Sequence, residues 1–105
     1  TFTGQAFKSP EGSQPVLTFS EHFINILPDT AWVFTDKTPR IPASGWHQGA
    51  FMPYGKGKIV VFGEAAMFSA QIAGPQKRKM GMNHPEAPQN YQLLLNIIHW
   101  LDDQL

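Results

Sequence analysis

Apolar residues in the second half of this chain fall into three blocks with different periods. Ile59, Val60, Val61 and Phe62 form a continuous, largely β-branched run that ends at Gly63. Such a run predicts a strand covered on both faces, in the interior of a sheet. Residues 46–52 read as a second extended segment, and Pro53-Tyr54-Gly55-Lys56-Gly57 between the two is turn chemistry. So short a glycine-bearing link predicts an antiparallel hairpin. The third block, residues 91–101, has helical periodicity. At 100° per residue, Gln92, Asn96, His99 and Asp103 share one polar stripe, while Tyr91, Leu93, Leu94, Leu95, Ile97, Ile98, Trp100 and Leu101 fill the remaining arc. An apolar arc that wide predicts a helix packed on the sheet and against a second neighbour, another helix or another copy of the chain.

The first half is cut finer, because many of the nine prolines and nine glycines lie there. Residues 3–7, 15–19 and 31–35 read as strands. Residues 20–27, opened by Ser20 and closed before Pro28, read as one helical turn. Residues 37–45, with Pro39 and Pro42, read as an exposed loop. Further on, residues 65–72 favour a short helix and residues 74–82 a glycine, proline and lysine loop. The expected fold is α/β, a mixed and mostly β-sheet structure with the C-terminal helix packed on it and the 59–62 strand near the sheet's centre. No internal repeat or low-complexity stretch interrupts it.

With 105 residues and 42% hydrophobic content, the chain is a single domain that closes a modest core. Eight basic residues balance eight acidic ones, so no global field favours nucleic acid or an anionic membrane. No apolar run approaches the roughly 18 residues of a membrane span. The absence of cysteine removes thiol catalysis, disulfides and thiolate metal sites, and it fits any redox compartment. Thr1 opens directly into strand-like sequence, which reads as a processed or truncated product. Neutral charge with a partial sheet leaves edges and apolar faces seeking a partner, so a homo-oligomer is expected.

The strongest candidate for chemistry is Glu64, at the carboxyl end of the apolar strand and the amino end of the expected helix. Ligands bind at such corners in open α/β sheets. Glu64 is either a cap that fixes the corner, favoured by the helix dipole, or a ligand-binding group or general base held on a rigid element. His84-Pro85-Glu86 has three readings. His84 and Glu86 are a base with its orienting carboxylate, or two ligands to a metal, or Asn83, His84 and Glu86 are start signals for the final helix. His22, His47 and His99 show no zinc-ligand spacing, so no metal site is expected, and no cofactor motif is present. Gly55-Lys56-Gly57-Lys58 is followed by a strand, which makes it a hairpin turn and not a phosphate loop. Ser69 lacks the glycine frame of a nucleophile elbow and reads as a packed serine. The cation run Lys77-Arg78-Lys79 is too short for a nucleic-acid footprint. Trp46-His47-Gln48-Gly49 either lines a pocket or anchors a strand end through its tryptophan.

The 58–62 strand, the corner Gly63-Glu64-Ala65-Ala66, the segment 81–90 and the helix ending in Trp100-Leu101 together resemble the C-terminal portion of class I glutamine amidotransferase-like domains. The resemblance covers residues 46–105 and is closest to a branch with a Gly-Lys-Gly turn and an Asn-x-x-x-Trp-Leu helix. It implies a partial flavodoxin-like or amidotransferase-like layer architecture, with this chain as the C-terminal part of a larger domain. In that superfamily a His-x-Glu element supplies base and carboxylate, and His84 and Glu86 match it as letters. The nucleophilic cysteine has no counterpart here, which excludes glutamine hydrolysis by the usual route. What remains is a non-catalytic domain that binds a small polar ligand or a protein partner at a crevice formed by Glu64, Gln71, Asn83 and His84. The alternatives are a hydrolase using Glu64 or His84 with Glu86 as general base, and a purely structural, self-associating domain.

Overall fold

The computed structural model describes all residues, Thr1–Leu105. Seven strands form three small sheets, β1 (Gln14–Thr18), β2 (Ile24–Ile26), β3 (Arg40–Pro42), β4 (His47–Tyr54), β5 (Gly57–Phe62), β6 (Ala70–Ala73) and β7 (Arg78–Gly81). A 3₁₀ turn, Ala66–Phe68, lies between β5 and β6, and the helix α1 (Asn90–Leu101) closes the chain. The sheets are β1-β4-β5, β2-β3 and β6-β7, and every pairing is antiparallel. This is a mixed α/β domain, with no parallel ladder.

The 46–62 hairpin forms as expected. Gly49 pairs with Phe62 and Tyr54 with Gly57, leaving Gly55 and Lys56 as a two-residue link. Gly55 takes a φ of 59°, which the first central position of such a turn requires. The strand beside it differs from expectation in place. β4, not β5, is central, and β5 is an edge strand. Along β5, Ile59 and Val61 are 39% and 49% exposed, whereas Lys58, Val60 and Phe62 are half-buried. A run of apolar letters does not reveal whether a second layer covers each face, and here only one face is covered. Small residues give β4 its central place: Gly49 lies so close to the Phe62 ring that a Cβ there would overlap it, and Gln48, Gly49 and Ala50 are all buried.

Helix α1 covers that one face. Leu93, Leu94, Ile97 and Trp100 form its half-buried stripe. The Trp100 ring meets Phe51 edge-on with centroids 4.9 Å apart. Lys58 lies over the Trp100 ring, donates to the Trp100 carbonyl and pairs with Asp103, so one β5 side chain fastens the helix C-terminus, where a cation complements the dipole. Asn90 pins the other end by donating to the Met67 carbonyl at 3.0 Å. The second apolar arc of the helix, Tyr91, Leu95, Ile98 and Leu101, stays exposed.

Elsewhere the short segments depart from their expectations. Residues 3–7 form a single bridge, Phe7 to His47, in place of a strand. Residues 20–27 contain β2 in place of a helical turn, because Ile24 and Ile26 pair with Pro42 and Arg40. The expected exposed loop 37–45 therefore carries β3, and Ala43 just after it is buried. Residues 31–35 are not a strand; Trp32 there has a φ of 67°. The expected helix 65–72 is only the 3₁₀ turn followed by β6, and the expected loop 74–82 contains β7, so the two make a hairpin. Local propensity misreads these segments because long-range pairing overrides it.

The molecule is open for its size. Its accessible surface is 7903 Å², against roughly 5,900 Å² for a folded monomer of this mass. Its radius of gyration is 15.6 Å, against about 13 Å for a compact domain of this length. Eight of 105 residues are buried, which leaves much of the apolar content on the surface. No helix is long and apolar enough to cross a membrane.

Candidate functional site

The Gly63 corner begins where the ladder of β5 overruns its strand. The Gly63 amide donates to the Gln48 carbonyl at 2.8 Å, and the Gly63 carbonyl accepts from Gln5 N–H at 2.8 Å. A Cβ on Gly63 would overlap the Gln5 carbonyl, so glycine permits the start of the chain to cross here. Residues 2–7 then run over the corner to His47, whose amide and carbonyl both bond Phe7 at 2.8 Å.

This placement decides the role of Glu64. The residue is only 4% exposed, and its Oε1 accepts from the main-chain N–H of Phe2 at 2.7 Å and of Thr3 at 3.1 Å. Gln48, equally buried, donates from Nε2 to the Thr3 carbonyl at 2.9 Å. Two side chains, one from β4 and one from the corner, thus grip both polar groups of the Thr3 main chain. No long helix starts after Glu64, so the expected dipole role is replaced by a latch on residues 2–3. Glu64 Oε2 and Gln48 Oε1 are buried with no hydrogen-bond partner.

The other candidates gather nearby without forming a catalytic set. The His84 imidazole packs edge-on against the Phe2 ring, centroids 5.3 Å apart at 67°, so Phe2 stands as the link between Glu64 and His84. His84 Nδ1 accepts the Glu86 amide at 3.1 Å, which puts the proton of the neutral ring on Nε2. The Glu86 carboxylate lies on the exposed surface and makes no hydrogen bond to the ring; the pair therefore lacks the base-and-orienter geometry. Asn83 donates to the Gln71 carbonyl at 3.2 Å. Gln71 in turn donates to Ser69 Oγ at 2.8 Å, and Ser69 donates to the Ala66 carbonyl at 2.7 Å. The Asn83 bond to the Gln71 carbonyl ties β6 to the segment after β7. Ser69 closes the 3₁₀ turn. No three His, Asp or Glu side chains gather as metal ligands.

A general base must reach a substrate proton. Glu64 Oε1 is committed to two main-chain donors, and residues 2–3 lie over it. An apolar concavity lies elsewhere. A cavity of about 710 Å³ opens between the start of the chain and the β2-β3 hairpin, with Phe19, Phe23, Ile24, Trp32 and Trp46 among its walls and Gln48 on its lining. The Trp46-His47-Gln48 motif reaches it through Trp46 and Gln48, which favours the pocket reading of that motif. Its β2-β3 wall was not legible, since the hairpin spans 13 intervening residues and carries no tight-turn signature.

The fold and the corner define a small α/β domain with a main-chain latch and apolar openings. Comparison with protein-family models, curated proteins and solved structures returns no match to this chain.

Proposed function

We propose that this chain is a non-catalytic, amidotransferase-like interaction domain whose partner is a second copy of itself. The observation that carries the reading is the partly open face of the main sheet, where Ile59 and Val61 stay exposed while Ala50 is buried. Ala50 pairs with Val61 and Met52 with Ile59, so these four side chains point to the face opposite α1. There they border a groove of about 320 Å³ with Phe7, Pro10 and Tyr54. A sheet with one helix on one face and apolar residues on the other has a layer still to gain, although its all-antiparallel pairing departs from the parallel sheet of a flavodoxin-like architecture. The surface excess, roughly 2,000 Å² over a compact monomer, is the size an obligate interface removes from each partner. The exposed main chain of edge strand β5 offers a second means of pairing.

Binding of a small polar ligand at Glu64, Gln71, Asn83 and His84 is less favoured, because Glu64 Oε1, Asn83 Nδ2 and His84 Nδ1 already bond main-chain groups and the Gln71 amide bonds Ser69. The hydrolase reading is less favoured too, because residues 2–3 lie over Glu64 and Glu86 makes no bond that orients His84.

Sedimentation velocity of the full chain at tens of micromolar tests the proposal. The expected species is a dimer that V61K together with I59K converts to a folded monomer. A wild-type chain that sediments as a folded monomer refutes the reading.

A further inference from the structure

The two edges of the main sheet are finished differently. At one, β1 carries Pro15, and its register against β4 shifts on both sides of Leu17; proline and bulges are among the devices that stop an edge strand from recruiting another. At the other, β5 keeps an unbroken register from Gly57 to Phe62 and contains no proline. Its one charge, Lys58, is turned to the Trp100 carbonyl and Asp103, so it does not guard the strand. No strand pairs with β5 on its outer side.

The hairpin fixes which main-chain groups that edge presents. Gly63 donates to the Gln48 carbonyl, and the same register sets Val61 opposite Ala50, Ile59 opposite Met52 and Gly57 opposite Tyr54. Hydrogen-bonded pairs alternate along an antiparallel ladder, so Gly57, Ile59 and Val61 spend their main chain on β4. The N–H and C=O groups of Lys58, Val60 and Phe62 point outward. These three alternate residues are self-complementary about a two-fold axis at Val60: Val60 meets the partner's Val60, and Lys58 meets the partner's Phe62. Every outward group of the three then finds a mate, about six hydrogen bonds in all. Between them, Ile59 lies against the partner's Val61 in the closer, non-hydrogen-bonded pairing. Those are the two β5 side chains that stand 39% and 49% exposed. No like charges fall opposite one another, because Lys58 faces a phenyl ring position. Resting on the self-association argued above, we propose that β5 pairs antiparallel with β5 of a second copy in the register that opposes Val60 to Val60, joining two three-stranded sheets into one. Since β1 blunts the far edge, the assembly stops at a closed two-fold dimer.

Sedimentation velocity and cysteine cross-linking of the full chain, which has no native cysteine, test the register. V60P removes an N–H that faces outward and leaves the β4 ladder intact, a position at which a sheet tolerates proline. The dimer dissociation constant should rise at least about tenfold, since each copy loses one net hydrogen bond, with the circular dichroism of the wild type retained. I59C and V61C oxidised as a mixture should form a disulfide-linked pair severalfold more than either variant alone. Residues 59 and 61 stand about 4.5 Å apart across the axis, within disulfide reach, whereas like residues stand about 7–8 Å apart, beyond it. A wild-type dimer whose affinity V60P leaves unchanged, or a mixture that cross-links no better than either single variant, overturns the edge pairing and leaves self-association through the sheet face standing. A wild-type chain that is a folded monomer overturns both. The cross-linking comparison decides the matter if V60P fails to fold.

Discussion

Replacing Glu64 by alanine separates a latch from a catalytic or ligand-binding carboxylate. The side chain accepts two main-chain hydrogen bonds, from Phe2 and Thr3, and bonds to a charged acceptor are worth about 1.5–3 kcal/mol each. Thr3 is exposed and Phe2 half-buried, so water replaces part of what is lost, and the low end applies, about 3 kcal/mol for the pair. Removing a carboxylate whose second oxygen is buried without a partner returns about 1–2 kcal/mol of desolvation. The expected net loss is about 1–2 kcal/mol, with a midpoint drop of about 4–8 °C per kcal/mol for a chain of this size. E64Q keeps an acceptor oxygen and sheds the buried charge, so it should unfold within about 0.5 kcal/mol of wild type. Thermal and urea unfolding read these values. Amide exchange localises them: Gln5 and Phe7 should exchange faster in E64A, while β6 and β7 stay protected. An E64A protein with an unchanged midpoint and unchanged exchange at Gln5 and Phe7 refutes the latch.

Other substitutions probe the remaining joints. W100A loses the edge-on contact with Phe51 and the Lys58 contact over the ring, and should lower stability by about 2–3 kcal/mol, since the ring is only half-buried; urea midpoints check it. D103A should change stability by no more than about 0.5 kcal/mol, as expected of a surface ion pair. K58A should cost about 1–2 kcal/mol, because Lys58 also bonds the Trp100 carbonyl and covers its ring; equal effects from the two variants would contradict this division. G63A places a Cβ on the Gln5 carbonyl and should cost about 1–3 kcal/mol, with an E64A background reducing the effect, since both act on the same crossing segment. A double-mutant cycle in urea gives that coupling.

The elements legible in the sequence were those whose signals are local. The hairpin was readable because Gly55 and Gly57 bracket a turn between apolar runs, and α1 because twelve residues repeat one helical period. β1 was found within a residue at each end. What could not be read is which sequence-distant segments meet. β2 and β3 exist because Ile24 and Ile26 lie opposite Pro42 and Arg40, and neither segment has strand-forming length alone. The burial of Glu64 was not readable either, because it depends on residues 2–3 arriving over the corner, 61 and 62 positions away in the chain. In the sequence Glu64 stands out as a corner residue, whereas Gln48 reads only as part of an aromatic cluster. The signal for Gln48 was an amide flanked by small residues and tryptophan in a central strand, a place where a polar side chain persists only with a partner.

The distribution of polarity bears on the proposed self-association. Glu64, Gln48, Asn83 and His84 each bond main-chain groups of residues 2, 3, 71 and 86, so the polar cluster that suggested a polar ligand serves internal structure through one atom of each side chain. The surfaces left uncommitted are apolar: the Ile59 and Val61 face, the outer arc of α1, and the aromatic cavity. Water contact with such surfaces is unfavourable by about 25 cal/mol per Å² of apolar area, so covering them outweighs two or three hydrogen bonds at a corner. In the proposed self-association, the larger part of the free energy would come from covering apolar area, with polar groups selecting orientation. Hence charge-introducing substitutions at Ile59 and Val61 should abolish association outright, whereas substitutions at Asn83 or His84 should leave it within a factor of a few.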